Sequence, residues 1–280
     1  MSVICFCSQK DLAAQHIKRQ LLTLFPFTET SDTYDDHPIY QLDQLSVVTI
    51  EPDSINADNL DDHFSADLFI FASRHKSAAF KPALLTHVPG NWAEAELGGK
   101  PSTLCIAPPS AMKIALQTLL SEQKRLGLTD WACGLEATHH GPFIESTPVL
   151  FIEIGSTEHE WQNPLAAEIV ARTIVTTAQQ YQTSYPAVLG FGGPHYCPGF
   201  TRLNSETKYA VSHVMPRYHL DQLSETLITQ AIHRSRPKPT IAAIDWKGMK
   251  GEQRERVTAL AEALGLQVTR IRHLIRDETN

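Results

Sequence analysis

Short, fully apolar runs alternate along this chain with segments of helical periodicity, and that alternation restricts the fold more than any other feature. Residues 3–7, 46–50, 67–72, 104–107, 149–154, 187–191, 241–244 and 267–271 read as strands. Residues 10–24, 111–126, 252–264 and a segment from Asn163 to about Ala178 read as helices. Ser110 is the expected N-cap of the second helix and Gly127 its stop, while Asn163-Pro164 supplies a cap and a first-position proline. Strands that are apolar throughout are covered on both faces, as in parallel sheets flanked by helices. The expectation is an α/β protein, a three-layer sandwich around a central, mostly parallel sheet that can be mixed at its margins. No internal repeat or low-complexity linker divides residues 1–280, so a single domain is expected. The Pro-rich stretch at 236–239 reads as a loop.

Composition removes several classes of function. Hydrophobic residues make up 42% of the 280 and charged residues 20%, ordinary values for a globular chain. No run reaches the roughly 18 apolar residues of a membrane span, and the N-terminus has no basic leader. The five cysteines are scattered without zinc-knuckle spacing. A cytoplasmic, disulfide-free protein is the expectation. The formal charge of -7 argues against general polyanion binding. The charge is uneven, however. No Lys or Arg lies between Arg19 and Arg74, where acids run from Glu29 to Asp67, while Arg234 to Arg256 is basic.

Unusual polar residues fall just after the strands: Ser73-Arg74-His75-Lys76, Thr86-His87, Thr138-His139-His140-Gly141-Pro142, Gly192-Gly193-Pro194-His195 and Asp245-Trp246-Lys247-Gly248. In an open parallel sheet the carboxyl ends of the strands share one edge, and ligands bind there. His139, His140 and His195 should therefore cluster at one edge. Glu153 is a carboxylate in an apolar strand, and burial demands a metal, a cation or a hydrogen-bond donor beside it. Neighbouring side chains in a strand face opposite ways, so one of His139 and His140 is expected to face the cleft and the other to brace it. Histidine is the commonest zinc ligand, and catalytic zinc keeps an open position, which makes His139, His140, His195 and Glu153 candidate ligands. Blander readings stand beside these. A single histidine is more often a packing residue, a Gly-Pro pair a tight turn, Glu153 half of an ion pair and Cys197 an inert thiol. No Gly-x-Ser-x-Gly, Walker or His-Glu-x-x-His motif is present.

Five segments occur in order: Ser73-Arg74-His75-Lys76-Ser77, Pro89-Gly90-Asn91-Trp92, Ala137-Thr138-His139-His140-Gly141-Pro142, Phe191-Gly192-Gly193-Pro194-His195-Tyr196 and Asp245-Trp246-Lys247-Gly248. Together they resemble the archaeal- and plant-type D-aminoacyl-tRNA deacylases from about Val3 to Ile271. The resemblance implies a three-layer fold related to peptidyl-tRNA hydrolase and purine nucleoside phosphorylase. It implies a hydrolase with two zinc ions per chain that cleaves the ester of D-aminoacyl-tRNA with broad side-chain tolerance. Translation quality control, D-amino acid detoxification and clearance of aldehyde-modified aminoacyl-tRNA come with it. His140, His195 and Glu153 are then the expected catalytic residues. Arg74, Lys76, Lys247 and Lys250 would meet tRNA phosphates, and the Gly192 and Gly193 N–H groups could form an oxyanion hole. A monomer is expected. Two other readings stay open: a nucleoside phosphorylase or nucleosidase holding phosphate with Arg74, Lys76 and Arg202, and a non-catalytic tRNA-binding protein using residues 234–256.

Overall fold

A computed structural model describes residues 2–78 and 80–279. The chain runs β1 (Val3–Ser8), α1 (Leu12–Leu24), β2 (Thr28–Tyr34), β3 (His37–Leu42), β4 (Leu45–Ile50), β5 (Leu68–Lys76) and β6 (Ala83–His87). It continues through α2 (Pro109–Leu126), β7 (Ala132–Leu135), β8 (Val149–Ser156), α3 (Glu158–Trp161), α4 (Pro164–Gln180), β9 (Ala187–Phe191) and α5 (Pro198–Glu206). It ends with β10 (Ala210–Met215), α6 (Glu225–His233), β11 (Ile241–Ile244), α7 (Gly251–Ala263), β12 (Gln267–Arg270) and α8 (Ile271–Thr279). The expected mostly parallel α/β architecture is present. Its strands form two sheets, one of eight in the order β2-β3-β4-β1-β5-β8-β6-β7 and one of four in the order β10-β9-β11-β12. The small sheet is parallel throughout, and the large one is made mixed by β3 against its neighbours and by β6 against β8.

Local chemistry fixes the helix ends. The Asp11 carboxylate accepts from the Ala14 N–H at 3.0 Å and starts α1. Asn163 caps α4 ahead of Pro164, and Gly127 stops α2 at φ 76°. Several sequence expectations are corrected. Ser110 lies inside the first turn of α2, which begins at Pro109, and its hydroxyl accepts from the Tyr185 N–H instead. Residues 104–107 make only isolated bridges to Gly90, Pro148 and Ser235, so they line a seam and do not form a strand. The acidic stretch contains the β2–β3 hairpin, whose exposed face gives no apolar alternation to read. Ile271 begins α8 rather than ending β12.

The large sheet has two unlike faces. Val3, Cys5, Ile70, Leu150 and Ile152 pack with Ala13, Ile17, Leu119, Val170 and Ile174 of α1, α2 and α4. The opposite face carries Phe6, Phe69, Phe71, Val149 and Phe151 beneath Leu60, Phe143 and Ile144. The first cluster also takes in Val188, Val211 and Ala243, so both sheets share one core. Among the described residues no helix is long and apolar enough to cross a membrane.

Candidate active site

Strand periodicity places half of the site. Residues two apart share a face, so Phe69, Phe71, Ser73 and His75 form one row on β5. Val149, Phe151 and Glu153 form another on β8. Register pairs Ser73 with Glu153 and His75 with Gly155, and β6 sets Leu85 beside Glu153 and His87 beside Phe151. Phe71 and Phe151 stack at 4.8 Å. Past that aromatic floor the same face turns polar with His75, His87 and Glu153, all buried. Gly155 is required beside them, because a Cβ there would meet the His75 ring at 2.6 Å.

The other half arrives on loops in the seam between the sheets. The Ala137 N–H donates to the His195 carbonyl at 2.8 Å and the Thr138 N–H to the Val214 carbonyl at 3.1 Å. Asp58 accepts from the Phe143 N–H and Asp61 from the Ser146 N–H, so part of the acidic run clamps the segment after His140. His140 takes the left-handed region at φ 46°. That turn brings both neighbouring imidazoles to one site, with ring centres 4.3 Å apart, which corrects the expectation that one would only brace the other. Nδ1 of His139 lies 2.8 Å from the Ala137 carbonyl, and Nδ1 of His140 2.5 Å from that of Gly141. With the proton on Nδ1 in each ring, both Nε2 lone pairs face the cluster, as second-shell bonds arrange them in metal sites.

Glu136 ties the halves together. Its Oε1 is 2.8 Å from His195 Nε2, and its Oε2 is 3.3 Å from His75 Nδ1. Glu153 Oε2 lies 3.6 Å from His75 Nδ1 and 3.8 Å from His87 Nε2. Burial opposes charge on Glu153, but the facing imidazoles of His75 and His87 outweigh it and hold the carboxyl near 2. Burial also works against charge on Glu136, and its contacts with His195 and His75 keep it well below the ordinary carboxylate range. Burial would lower His75, yet Glu136 and Glu153 hold it up to about 11. Burial, with His87 nearby, presses His140 down to about 4, and burial with His140 and His87 puts His139 well below its ordinary value. The result is neutral His139 and His140 on one side and, on the other, anionic carboxylates that, against burial, hold His75 and His87 above their ordinary value.

These residues suit a metal ion. Three groups have ligand atoms within 4.8 Å of one another: His87 with His139 and His140, Glu136 with His139 and His195, and His75 with Glu136 and Glu153. Both ring nitrogens of His87 are buried without a hydrogen-bond partner, and Oε2 of Glu136 has only the 3.3 Å approach of His75 Nδ1. Such orphans are costly in a structural residue and ordinary in a ligand. The four ligands expected from sequence therefore fall into adjoining groups, with Glu153 beside His75 rather than beside His139. Sequence reading missed three members: Glu136, His75 and His87. The two histidines were legible by period from Phe71-Ser73 and Leu85. Glu136 had only its place after a short strand.

The remaining expected residues divide. Arg74 and Lys76 line a cavity of about 520 Å³ together with His139, His140, Glu153 and His195. Arg74 is committed there, to Asp53 at 2.7 Å and the Lys10 carbonyl at 2.9 Å, whereas Lys76 is exposed. Lys247 and Lys250 line a neighbouring cavity with Arg217, joined to the cluster through Tyr218, whose hydroxyl is 3.1 Å from His195 Nδ1. Gly192 and Gly193 do not form an oxyanion hole. Their N–H groups donate to the Met215 and Gly248 carbonyls, and added Cβ atoms would strike Met249 and Asp245. The phosphorylase reading loses its anion site, since Arg202 pairs with Glu206 at 2.9 Å and Arg74 with Asp53. Burial pushes the Cys197 thiol far up, and it donates to carbonyls, so it is an inert thiol.

Comparison with known proteins gives one consistent answer. A family model described as D-aminoacyl-tRNA deacylase matches residues 62–269. The D-aminoacyl-tRNA deacylase of Thermococcus onnurineus is 41% identical over 274 residues, covering 95% of this chain and 99% of the relative. That of Methanosarcina acetivorans is 38% identical over 279 residues, covering 95% and 91%. The crystal structure of AF0625, a conserved protein of unknown function, superposes with a TM-score of 0.89 at 30% identity over 99% of this chain and 97% of that one.

Proposed function

This chain belongs to the D-aminoacyl-tRNA deacylase family, and from that footing we propose that it hydrolyses the ester of D-aminoacyl-tRNA, releasing free D-amino acid and tRNA. The observation that carries the chemistry is the buried His/Glu cluster, with its unpartnered His87 ring nitrogens, opening into a cavity. We read residues 1–280 as one catalytic domain acting as a monomer in the cytoplasm, where aminoacyl-tRNA is made and used. Every group of the cluster comes from a single chain.

Zinc is the ion we assign, two per chain. His87, His139 and His140 would hold one, an all-nitrogen set suited to zinc. Glu136, Glu153 and His75 would hold the other, where two buried carboxylates need positive charge between them. Bound zinc supplies Lewis acidity toward the ester carbonyl and toward water. His140 and Glu153 then act by presenting neutral nitrogen and full negative charge to the ions. Glu153 would be committed to the ion, so we do not assign it the role of proton acceptor. His195 takes that role. Its Nε2–H donates to the Glu136 carboxylate, which leaves the Nδ1 lone pair, beside the Tyr218 hydroxyl, to take the proton, and the ring lines both cavities beside the cluster.

The tRNA end is held by charge. Lys76 on one side, and Lys247 and Lys250 with Arg217 on the other, flank the cluster as phosphate contacts. The test is release of free amino acid from matched D- and L-tyrosyl-tRNA, run beside phosphate-dependent cleavage of nucleosides. Selective hydrolysis of the D-ester supports this reading. Base release from nucleosides, or tight tRNA binding without turnover, would replace it.

A further inference from the structure

The open face of the large sheet does not stop at the cluster. Two rows of paired residues cross it. One runs Ser73, Glu153, Leu85, Gly134, and the other His75, Gly155, Ala83, Ala132. The polar residues, Ser73 and His75 on β5 and Glu153 on β8, give way to small or apolar ones on β6 and β7. Neighbouring strands are about 4.8 Å apart, which puts Gly134 roughly 10 Å from Glu153 along its row. Over the second half of these rows lies a separate cavity of about 470 Å³, floored by Ala83, Leu85, Ala132 and Gly134 and bounded by Tyr196. The Tyr196 hydroxyl meets His75 Nε2 at 3.2 Å and Ser77 Oγ at 2.9 Å, so its ring stands where the cluster ends and this cavity begins.

We propose that this cavity receives the side chain of the D-amino acid. The assignment rests on the deacylase reading and adds to it the residues that set side-chain preference. Its occupant follows from what the floor lacks. The Ser156 hydroxyl is spent on the Lys81 carbonyl at 2.6 Å, and Thr201 Oγ1 already accepts from the Leu135 N–H at 2.9 Å. Burial raises the Cys133 thiol to about 12, so it stays uncharged. A purine placed on this floor would lose water from its ring nitrogens and amine without regaining partners. An apolar or aromatic side chain loses nothing of that kind. The cavity's charged groups, Lys81 and the Glu206-paired Arg202, belong to exposed residues, so its apolar floor discriminates by size and weakly.

Filling the pocket from its rim tests this. Ala132 is exposed, so Ala132→Trp intrudes on the cavity without entering the core. The measurement is kcat/KM for D-tyrosyl-tRNA divided by that for D-alanyl-tRNA, in variant and wild type. The expected result is a fall in that ratio of about tenfold or more, the scale of steric discrimination in apolar pockets. Ala132→Leu, a smaller intrusion at the same site, should lower the ratio less and serves if the tryptophan variant does not fold. An unchanged ratio would mean that the side chain binds elsewhere. Equal loss on both substrates would assign the cavity to the terminal adenosine that they share. Either overturns the proposal while leaving the deacylase reading intact. A wild-type protein inactive on both D-substrates would remove the deacylase reading, and this assignment with it.

Discussion

Replacing His87 by phenylalanine separates a ligand from a packing residue, because the two roles predict different responses to zinc. His87 is fully buried, and neither ring nitrogen has a hydrogen-bond partner. Each buried unsatisfied polar atom costs about 1–3 kcal/mol, so the two together cost roughly 2–6 kcal/mol. Phenylalanine has a similar flat shape and would lie against Phe151, whose ring centre is 5.3 Å from that of His87. Overpacking takes back about 1–3 kcal/mol, and loss of the 3.8 Å contact with Glu153 takes back some more. In chelator, His87→Phe should therefore lie within about 2 kcal/mol of wild type. In zinc the gap should widen against the variant, since an ion at 100 times its Kd adds about 2.7 kcal/mol to whichever protein binds it. The assay is urea denaturation with chelator and with zinc, alongside elemental analysis of the purified proteins. A variant that keeps its zinc and activity, or is less stable than wild type by about 2 kcal/mol or more in chelator, would refute the reasoning.

Other expectations can be checked in parallel. His195→Ala should lower kcat by about 10²–10⁴ while leaving zinc content intact, read by single-turnover kinetics and elemental analysis. Lys247→Ala with Lys250→Ala should weaken binding of D- and L-aminoacyl-tRNA alike and reduce the slope of log affinity against log salt by about 1 per lysine. It should not alter the preference for D over L, because phosphates carry no record of amino-acid chirality. Chelator-treated protein should lose stability as pH falls from 6.5 to 4, seen in thermal melts. Burial lowers His213 and His140 to about 4, so the unfolded chain binds those protons first, each costing about 3 kcal/mol by pH 4. The depressed carboxyls of Glu153 and Glu136 contribute stability present above their unfolded values and lost only as pH drops through their lower folded ones. His75 acts at the other limit, its contribution being lost as pH rises through about 11.

Much of this was legible in the sequence, for identifiable reasons. Apolar runs such as 149–154 announce covered strands because nothing polar interrupts them but Glu153, and that exception marked the site. His139, His140 and His195 do converge, but on loops in the seam between two sheets and not at the shared edge of one, because β6 and β7 run against β8 and β9 belongs to the small sheet. Three things were hidden. The second sheet depends on which strands pair, and a strand's own residues do not encode its partner. The joint aim of His139 and His140 depends on one left-handed φ at a non-glycine residue. Glu136 became visible only when β7 paired with β6 and set it between His75 and His195. The glycines at 192 and 193 show the converse. A Gly-Gly turn permits an oxyanion hole, but here its N–H groups are consumed in joining β9 to its neighbours.

The central claim is that a metal held by the His87–His139–His140 and His75–Glu136–Glu153 groups makes this chain a D-specific esterase for aminoacyl-tRNA. The most direct measurement is the hydrolysis rate of D-tyrosyl-tRNA against L-tyrosyl-tRNA in native protein, after chelation, and after zinc is restored. The account predicts rapid loss of the D-ester only, abolished by chelator and recovered with zinc. Hydrolysis of the D-ester undiminished by exhaustive chelation, in protein shown by elemental analysis to hold no metal, would contradict it.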